Sequence, residues 1–347
     1  MKEIKKYFIQ EHLERKVNHG GIGNADAEKI FLQLGCRPIL FPAHFDFSFI
    51  GKVKRLIYLL VSLFSIPAGS VVFFQFPLYA RMNTLLVNYL RKKANRHLVC
   101  FITDIDGLKD ANSLLLEREI YLLKQFDYFI VHNHAMKEWL ASQIKPKSVA
   151  EIEFFDFLAK PFSGNRKKLK QIVFAGNLSK SLFLEQLDQL QNSQDLLFNI
   201  YGPGVTTMMQ AQKCASYKGS YEPYILPSLV EGSFGLVWDG NSITDNGGSI
   251  FDYMKYISHH KISLYILAGL PIIIYSEAGA AHLILKYKIG MLVKTLHDIN
   301  EVMGQISERD YENMRTNMNI LSGRISNGEC LSDAVAKIQL DPNEGIR

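Results

Sequence analysis

The stretch from Lys261 to Tyr275 constrains the fold more than any other. Ile272, Ile273 and Ile274 form a continuous β-branched run with no polar face. Such a strand needs cover on both sides, which a parallel sheet flanked by helices provides. Directly before it, Leu264, Leu267 and Ala268 fall at helical spacing. Gly269 supplies the left-handed turn that ends a helix, and Pro271 cannot continue one. Lys261 stands at the N-terminal end of this helix, where free backbone N–H groups and the helix dipole favour an anion. The position suits a diphosphate. The same spacing also suits an ordinary helix–strand unit with a solvated lysine.

The rest of the chain repeats the alternation. In the first half, strands are expected at Tyr7–Ile9, Pro38–Phe41, Val71–Phe74, Leu98–Ile102 and Tyr128–Val131. Helices are expected at Ala25–Leu34, near Leu56, and at Ala80–Arg96, Leu114–Lys124 and Ala135–Ser142. The segment 157–170 has little periodicity and holds Pro161, Gly164 and five basic residues, so it reads as a linker. Beyond it, strands are expected at Gln171–Phe174, Leu196–Ile200, Phe234–Val237, Ile272–Ile274 and Met291–Val293. Further helices are expected at Leu182–Leu190 and Ala278–Tyr287, with a polar helical tail from about residue 298. The expected architecture is α/β: two doubly wound Rossmann-like domains, 1–156 and 171–347, facing a cleft. In such sheets ligands bind outside the carboxyl ends of the strands.

Composition narrows the function classes. The net charge of +5 suits a polyphosphate ligand or an anionic membrane surface without requiring nucleic acid. The basic helix Ala80–Arg96 lacks interleaved exposed aromatics and any nucleic-acid-binding pattern. Four scattered cysteines, with no CxxC or Cys/His cluster, point to a reducing cytoplasm, with neither a disulfide framework nor a zinc site. The N-terminus is too charged for a signal peptide. His132 and His134 flank a strand end, but without a third ligand they read as turn residues. The apolar segment Leu56–Tyr79 is interrupted by Pro67, Gly69 and Gln75, whereas a spanning helix needs roughly 20 uninterrupted apolar residues. It reads as a core helix followed by a strand. The alternative is a helix lying in a membrane interface, its basic residues on lipid phosphate.

Glycine turns carry the expected chemistry. Gly20-Gly21-Ile22-Gly23 follows the first strand, where glycines let the backbone approach a phosphate. The loop is neither GxGxxG nor a Walker A sequence, so a dinucleotide site and a P-loop are disfavoured. Gly176-Asn177 and Tyr201-Gly202 occupy the corresponding position in the second domain. Tyr201, Tyr221 and Tyr224 are candidates to stack on a base or ribose, or to pack in the core.

Taken together, several stretches resemble one group of GT-B nucleotide-sugar glycosyltransferases. The group contains bacterial β-1,6-galactofuranosyltransferases and the accessory glucosyltransferases of serine-rich adhesins. The matching pieces are Ile172 to Ser181, Gly219-Ser220-Tyr221-Glu222-Pro223, Gly232 to Gly240, and His260 to Tyr265 continuing through Gly269-Leu270-Pro271. In the first half they are Gly20 to Ala25, Phe74-Gln75-Phe76-Pro77 and Ile102-Thr103-Asp104-Ile105. The resemblance implies a UDP-sugar donor, a glycan acceptor on lipid or protein, and no required cofactor or metal. It places Lys261 on the diphosphate, and Ser263, Asn177 and Lys180 toward the phosphate or donor sugar. It places Tyr201, Tyr221 and Tyr224 at the uridine, and Gly20 and Gly21 approaching the donor from the other domain. Asp239, in the matching segment after Phe234–Val237, is included in the donor site. Two positions depart from the group. His259-His260-Lys261 stands where Pro-His-Lys is common, and Ile102-Thr103-Asp104 stands where Ile-His-Asp is common. The second leaves Asp104 as the matched residue and any histidine role there in doubt.

An inverting transfer needs a base for the acceptor hydroxyl and positive groups for the leaving UDP. Asp104 is the first choice for the base, with His19 and His44 as alternatives. A turn-capping role is the competing reading of Asp104. Glu277 begins a turn where it would bind a sugar hydroxyl or cap a helix. The E-x7-E pattern of many retaining enzymes is absent, because the eighth position after Glu277 is Leu285. The expectation is a hexosyltransferase using galactofuranose or glucose in bacterial surface polysaccharide or glycoprotein assembly. It would be cytoplasmic, peripheral at the inner membrane face, with the tail as a candidate homo-oligomer surface. A non-catalytic partner with the same fold is the alternative.

Overall fold

A computed structural model describes residues 4–11, 21–40, 48–79, 81–92, 96–190 and 193–340 of the chain. The first sheet contains β1 (Lys6–Gln10), β2 (Arg37–Leu40), β3 (Val71–Phe76), β4 (His97–Ile102), β5 (Tyr128–Val131) and β6 (Ser148–Glu151). The second contains β7 (Gln171–Ala175), β8 (Leu197–Tyr201), β9 (Ala215–Gly219), β10 (Phe234–Val237), β11 (Ile272–Tyr275) and β12 (Gly290–Val293). Their orders are β2-β1-β3-β4-β5-β6 and β12-β11-β10-β7-β8-β9, with every pairing parallel. Each order reverses once, at β1/β3 and at β10/β7. A crevice opens at such a point because the flanking connections run to opposite faces.

The parallel strands are buried because helices cover both faces. Phe8, Phe73, Val99 and Phe101 of the first sheet join a core that runs through Phe155 and Phe157 into Ile172, Phe174 and Leu236 of the second. The alternate residues Ile9, Val72, Phe74 and Cys100 form a separate cluster on the other face. Period-2 alternation therefore sends one face toward the partner domain and the other toward the outer helices.

The segment after β6 is fastened along the second domain. Phe162 N–H donates to the Leu267 carbonyl at 2.8 Å, and Arg166 donates to the carbonyls of Ala268 and Val230 at 2.7 and 2.9 Å. These are carbonyls at the C-terminal ends of helices His260–Ala268 and Leu226–Leu229, where no intrahelical partner is available. The helical tail, grouped with the second domain on sequence, returns to the first. Helix Glu329–Lys337 begins with the Cys330 and Leu331 N–H groups on the Asp156 carboxylate at 3.1 and 2.7 Å, and Gly328 packs on Ile30.

Three local expectations are corrected. β6 and β9 were not anticipated: both are edge strands of mixed polarity, so neither shows an apolar run. The expected α-helix at Leu182–Leu190 is a 3₁₀-helix, Leu182–Gln189. Its buried Phe183, Leu184 and Leu187 have a spacing that serves either helix type. The third concerns the apolar helix Phe49–Ser65, which is not a core helix. Among its described side chains Leu59 is buried while Phe49, Leu56, Ile57 and Phe64 are exposed.

Candidate active site

The two sheets place the carboxyl ends of their strands around one cleft of about 590 Å³. From the first domain it is lined by Gly21, Ile22, Gly23 and Asn24 at the start of helix Ile22–Gln33, and by Thr103 and Asp104 after β4. From the second come Asn177 and Lys180 after β7, Asp239 after β10, and His259, His260 and Lys261. Gly21 adopts φ 91°, a left-handed conformation that glycine reaches without strain, and so turns the chain into its helix at the cleft wall. Two helix N-termini, at Ile22 and at His260, thus face one space. Neither has a side-chain cap on its free N–H groups.

Lys261 lies in the first turn of helix His260–Ala268. Its Nζ donates to Asp239 Oδ1 at 2.6 Å and to the Trp238 carbonyl at 3.2 Å, and sits 4.4 Å from the Phe174 ring centroid. Asp239 is also 3.0 Å from His259 Nε2. Burial alone would raise the Asp239 carboxyl, but Lys261 and His259 outweigh it and hold the group well below the usual carboxylate range. The pair fixes the lysine in the floor of the cleft.

A second cavity of about 220 Å³ adjoins the cleft and shares Ile22, His259, His260 and Lys261 with it. Its remaining wall is mostly apolar and aromatic, with Ala175, Gly176, Tyr201, Gly202, Tyr221 and Pro223. The register Ala175↔Tyr201 sets Gly176 beside Gly202. A Cβ on Gly202, whose φ is 133°, would lie 1.8 Å from the Gly176 carbonyl oxygen, so this wall requires glycine. The Tyr201 hydroxyl accepts from Glu231 N–H at 2.9 Å, leaving its ring to line the cavity.

On the first-domain wall, Asp104 pairs with Lys109, which also binds Asp106. Burial opposes the Lys109 charge, yet the two carboxylates outweigh it and hold the ammonium above its ordinary range. Tyr79 donates to Asp106 Oδ2 at 2.9 Å. Thr103, at the departing position, donates its hydroxyl to the Phe76 carbonyl at 2.8 Å. His132 lies in the same wall. Burial pushes its imidazole down to about 4, despite the attraction of Asp104, so the ring is neutral near pH 7. Its Nδ1 accepts from Ser258 N–H at 3.2 Å.

The structure brings together Asp104, Gly21, Asn177, Lys180, Asp239 and Lys261 in the cleft, and Tyr201 and Tyr221 in the adjoining cavity. His19, Gly20 and His44 lie outside the described residues. Two expected positions are corrected. Ser263 is fully buried and donates to the Phe155 carbonyl at 2.5 Å, because its face of the helix turns toward the segment that follows β6 rather than the cleft. Tyr224 lines neither cavity. Its hydroxyl donates to Asp26 Oδ1 at 2.7 Å and accepts from Lys29 Nζ at 2.8 Å, bracketing the two domains. Asn177 lines the cleft while its Oδ1 caps Ser179 N–H at 3.1 Å. Glu277 lines neither cavity, and His134 faces Glu138 at 3.2 Å and Glu151 at 3.6 Å. Among the described residues no group of three or more His, Cys, Asp or Glu is arranged to hold a metal ion.

Lys109 was missed. Its spacing from Asp106, i to i+3, becomes a signal only once the short helix Asp106–Lys109 is recognised. Tyr253, at the end of helix Ser249–Tyr253, was missed too: its hydroxyl accepts from Ile105 N–H at 2.7 Å in the core beneath the cleft, a contact that has no trace in the local sequence.

Two Rossmann-like domains with their strand ends facing one cleft define the GT-B class of glycosyltransferases. The chain belongs to the glucosyltransferase 3-like family, whose N-terminal domain matches residues 5–146 and whose C-terminal domain matches residues 172–338. It is 26% identical over 299 residues to the beta-1,6-galactofuranosyltransferase WbbI of Escherichia coli, covering 83% of this chain and 86% of that protein. It is 26% identical over 283 residues to glucosyltransferase 3 of Streptococcus gordonii, covering 79% and 81%. The fold matches that of Anabaena Alr3699/HepE, solved with UDP and glucose, at a TM-score of 0.60 and 11% identity, covering 96% and 99%.

Proposed function

We propose that this glycosyltransferase moves a hexose, galactofuranose or glucose, from a UDP-sugar to a hydroxyl of a glycan acceptor. The observation that carries the reading is the position of Lys261. It stands in the first turn of a helix, on the boundary between the polar cleft and the smaller apolar cavity. A uracil and ribose fit against Tyr201, Tyr221 and Gly176, the diphosphate against Lys261 and the two helix N-termini, and the sugar in the larger cleft. The relatives named for galactofuranosyl and glucosyl transfer support a hexose donor. They also disfavour a non-catalytic role.

In this reading the acceptor hydroxyl loses its proton to Asp104 as its oxygen attacks the anomeric carbon. The bond from that carbon to the diphosphate oxygen breaks, and the charge gathers on UDP. Lys261, Lys180 and the free N–H groups stabilise it, the role a divalent cation has in other transferases. Lys109 keeps the Asp104 carboxylate in place between turnovers. Asp239 positions Lys261 and need not touch the donor.

The test is UDP release from a panel of UDP-sugars, with and without EDTA, for the native protein and Lys261→Ala. The native protein should release UDP with one donor and keep that activity in EDTA. The variant should lose transfer by about 10²–10³-fold, the scale for removing one charge-stabilising group, and its thermal stabilisation by UDP. Unchanged transfer by the variant would sink the assignment of the diphosphate seat.

A further inference from the structure

Helix Phe49–Ser65 is built inside out. With 3.6 residues per turn, Phe49, Val53, Leu56, Ile57, Leu60 and Phe64 share one broad face. That face points away from the protein: Phe49 and Phe64 are 80% and 82% exposed, and Leu56 and Ile57 are each 52% exposed. The opposite side, turned toward the protein, presents Gly51, Leu59 and Ser62. Ser62 returns its hydroxyl to the Tyr58 carbonyl at 2.8 Å. Ser48 caps the first turn through Gly51 N–H at 3.0 Å, so the helix is well terminated on the protein side.

A contiguous apolar face of this size on a folded protein marks a surface that something covers. Charge indicates what. Lys52 and Lys54 are exposed and fall on the two flanks of the apolar face, and the helix contains no acidic residue. Long basic side chains beside an apolar stripe can lay their stems along lipid and reach the phosphates with their ammonium groups. A second copy of this helix, related by a two-fold axis, would bring the same lysines together across the seam. Among the described residues no helix is long and apolar enough to cross a membrane, so the geometry is that of a helix lying in the plane of the interface.

We propose that helix Phe49–Ser65 docks the protein on an anionic lipid bilayer, with Phe49, Leu56, Ile57 and Phe64 entering the acyl boundary. The neighbouring helix Arg81–Lys92, which packs on it, begins two residues after Tyr79 in the cleft wall. Docking through this element sets the acceptor-side wall of the cleft near the membrane, where a lipid-linked acceptor would be presented. That last point rests on the transferase reading; the docking itself does not.

The experiment is co-sedimentation of the full chain with vesicles of phosphatidylcholine alone or mixed with phosphatidylglycerol. The native protein should sediment with the mixed vesicles and be released by salt. Ile57→Glu/Phe64→Glu should weaken binding by more than about tenfold, since each burial of a large apolar side chain is replaced by a charge. Lys52→Gln/Lys54→Gln should lose the preference for phosphatidylglycerol. Thermal stabilisation by UDP, measured on the same variants, reports that they are folded and separates failure of docking from failure of the donor site. Native protein that stays in the supernatant with both vesicle types overturns the proposal. So does native protein that elutes as a dimer which Phe64→Glu converts to monomer, since the face then belongs to a second copy.

Discussion

At the scale of single residues, the cleft is organised by lysine–carboxylate pairs. Lys261–Asp239 and Lys109–Asp104 line the same cleft, the first in the second domain and the second in the first domain. Each pair holds its charged groups in one place, and each has a different expected consequence when broken. Asp104→Asn keeps the shape but cannot take a proton. It should lower transfer by about 10²–10⁴-fold, the usual share of a general base, while UDP still raises the melting temperature. Equal loss of UDP stabilisation would mean that Asp104 holds the site's structure rather than the proton. Lys261 was legible in sequence because a glycine stop, a proline and a β-branched run fix where its helix begins and ends. Asp104 was legible as the residue after a buried strand. Asp239 was included in the donor site by the resemblance, but its pairing with Lys261 was not legible, because an ion pair between separate elements leaves no local spacing. Lys109 was missed because its helix, Asp106–Lys109, is a single turn.

At the scale of elements, helix His260–Ala268 does two jobs on two faces. Its first turn supplies Lys261 to the cleft, while Ser263 and Tyr265 bind the backbone of Phe155 and Ala175 from within the core. The family resemblance placed Ser263, with Lys261, at the phosphate or donor sugar. On a helix, positions i and i+2 point about 200° apart, so the neighbour in sequence is not the neighbour in space. Ser263→Ala removes the donor and leaves the Phe155 carbonyl buried without it. The expected cost is about 1–3 kcal/mol in denaturant unfolding, with UDP binding retained. A loss of UDP binding at unchanged stability would return Ser263 to the donor site. The glycine turns were legible as turns. That Gly202 also needs its glycine for room, against Gly176, required the β7–β8 register.

At the scale of the whole molecule, the tail joins the domains through Asp156. Burial pushes this carboxyl up to about 7 from an ordinary 3.8, although the N–H groups of Leu331 and Cys330 pull the other way. The folded state therefore holds the proton more tightly than the unfolded chain. Stability from this group is present below about 3.8 and is lost as pH rises through about 7. Asp239 has the opposite sign, and its contribution is lost only as pH falls below about 3.8. Melting temperatures of the native protein and Asp156→Asn, compared across this range, should show the native protein losing stability relative to the variant as pH rises. A constant difference would mean that Asp156 does not titrate there.

The strand runs, the glycine and proline stops and the order of alternation were enough to define two parallel sheets and the turns at their carboxyl ends. These are local properties: backbone conformation and periodic burial are encoded within a few residues. The edge strands β6 and β9, the Asp26–Tyr224–Lys29 bracket, the buried role of Ser263 and the outward apolar face of helix Phe49–Ser65 were decided by the tertiary structure alone. Each depends on which surfaces are pressed together, and residues as far apart as Asp26 and Tyr224 meet only when both sheets have formed and closed on the core between them.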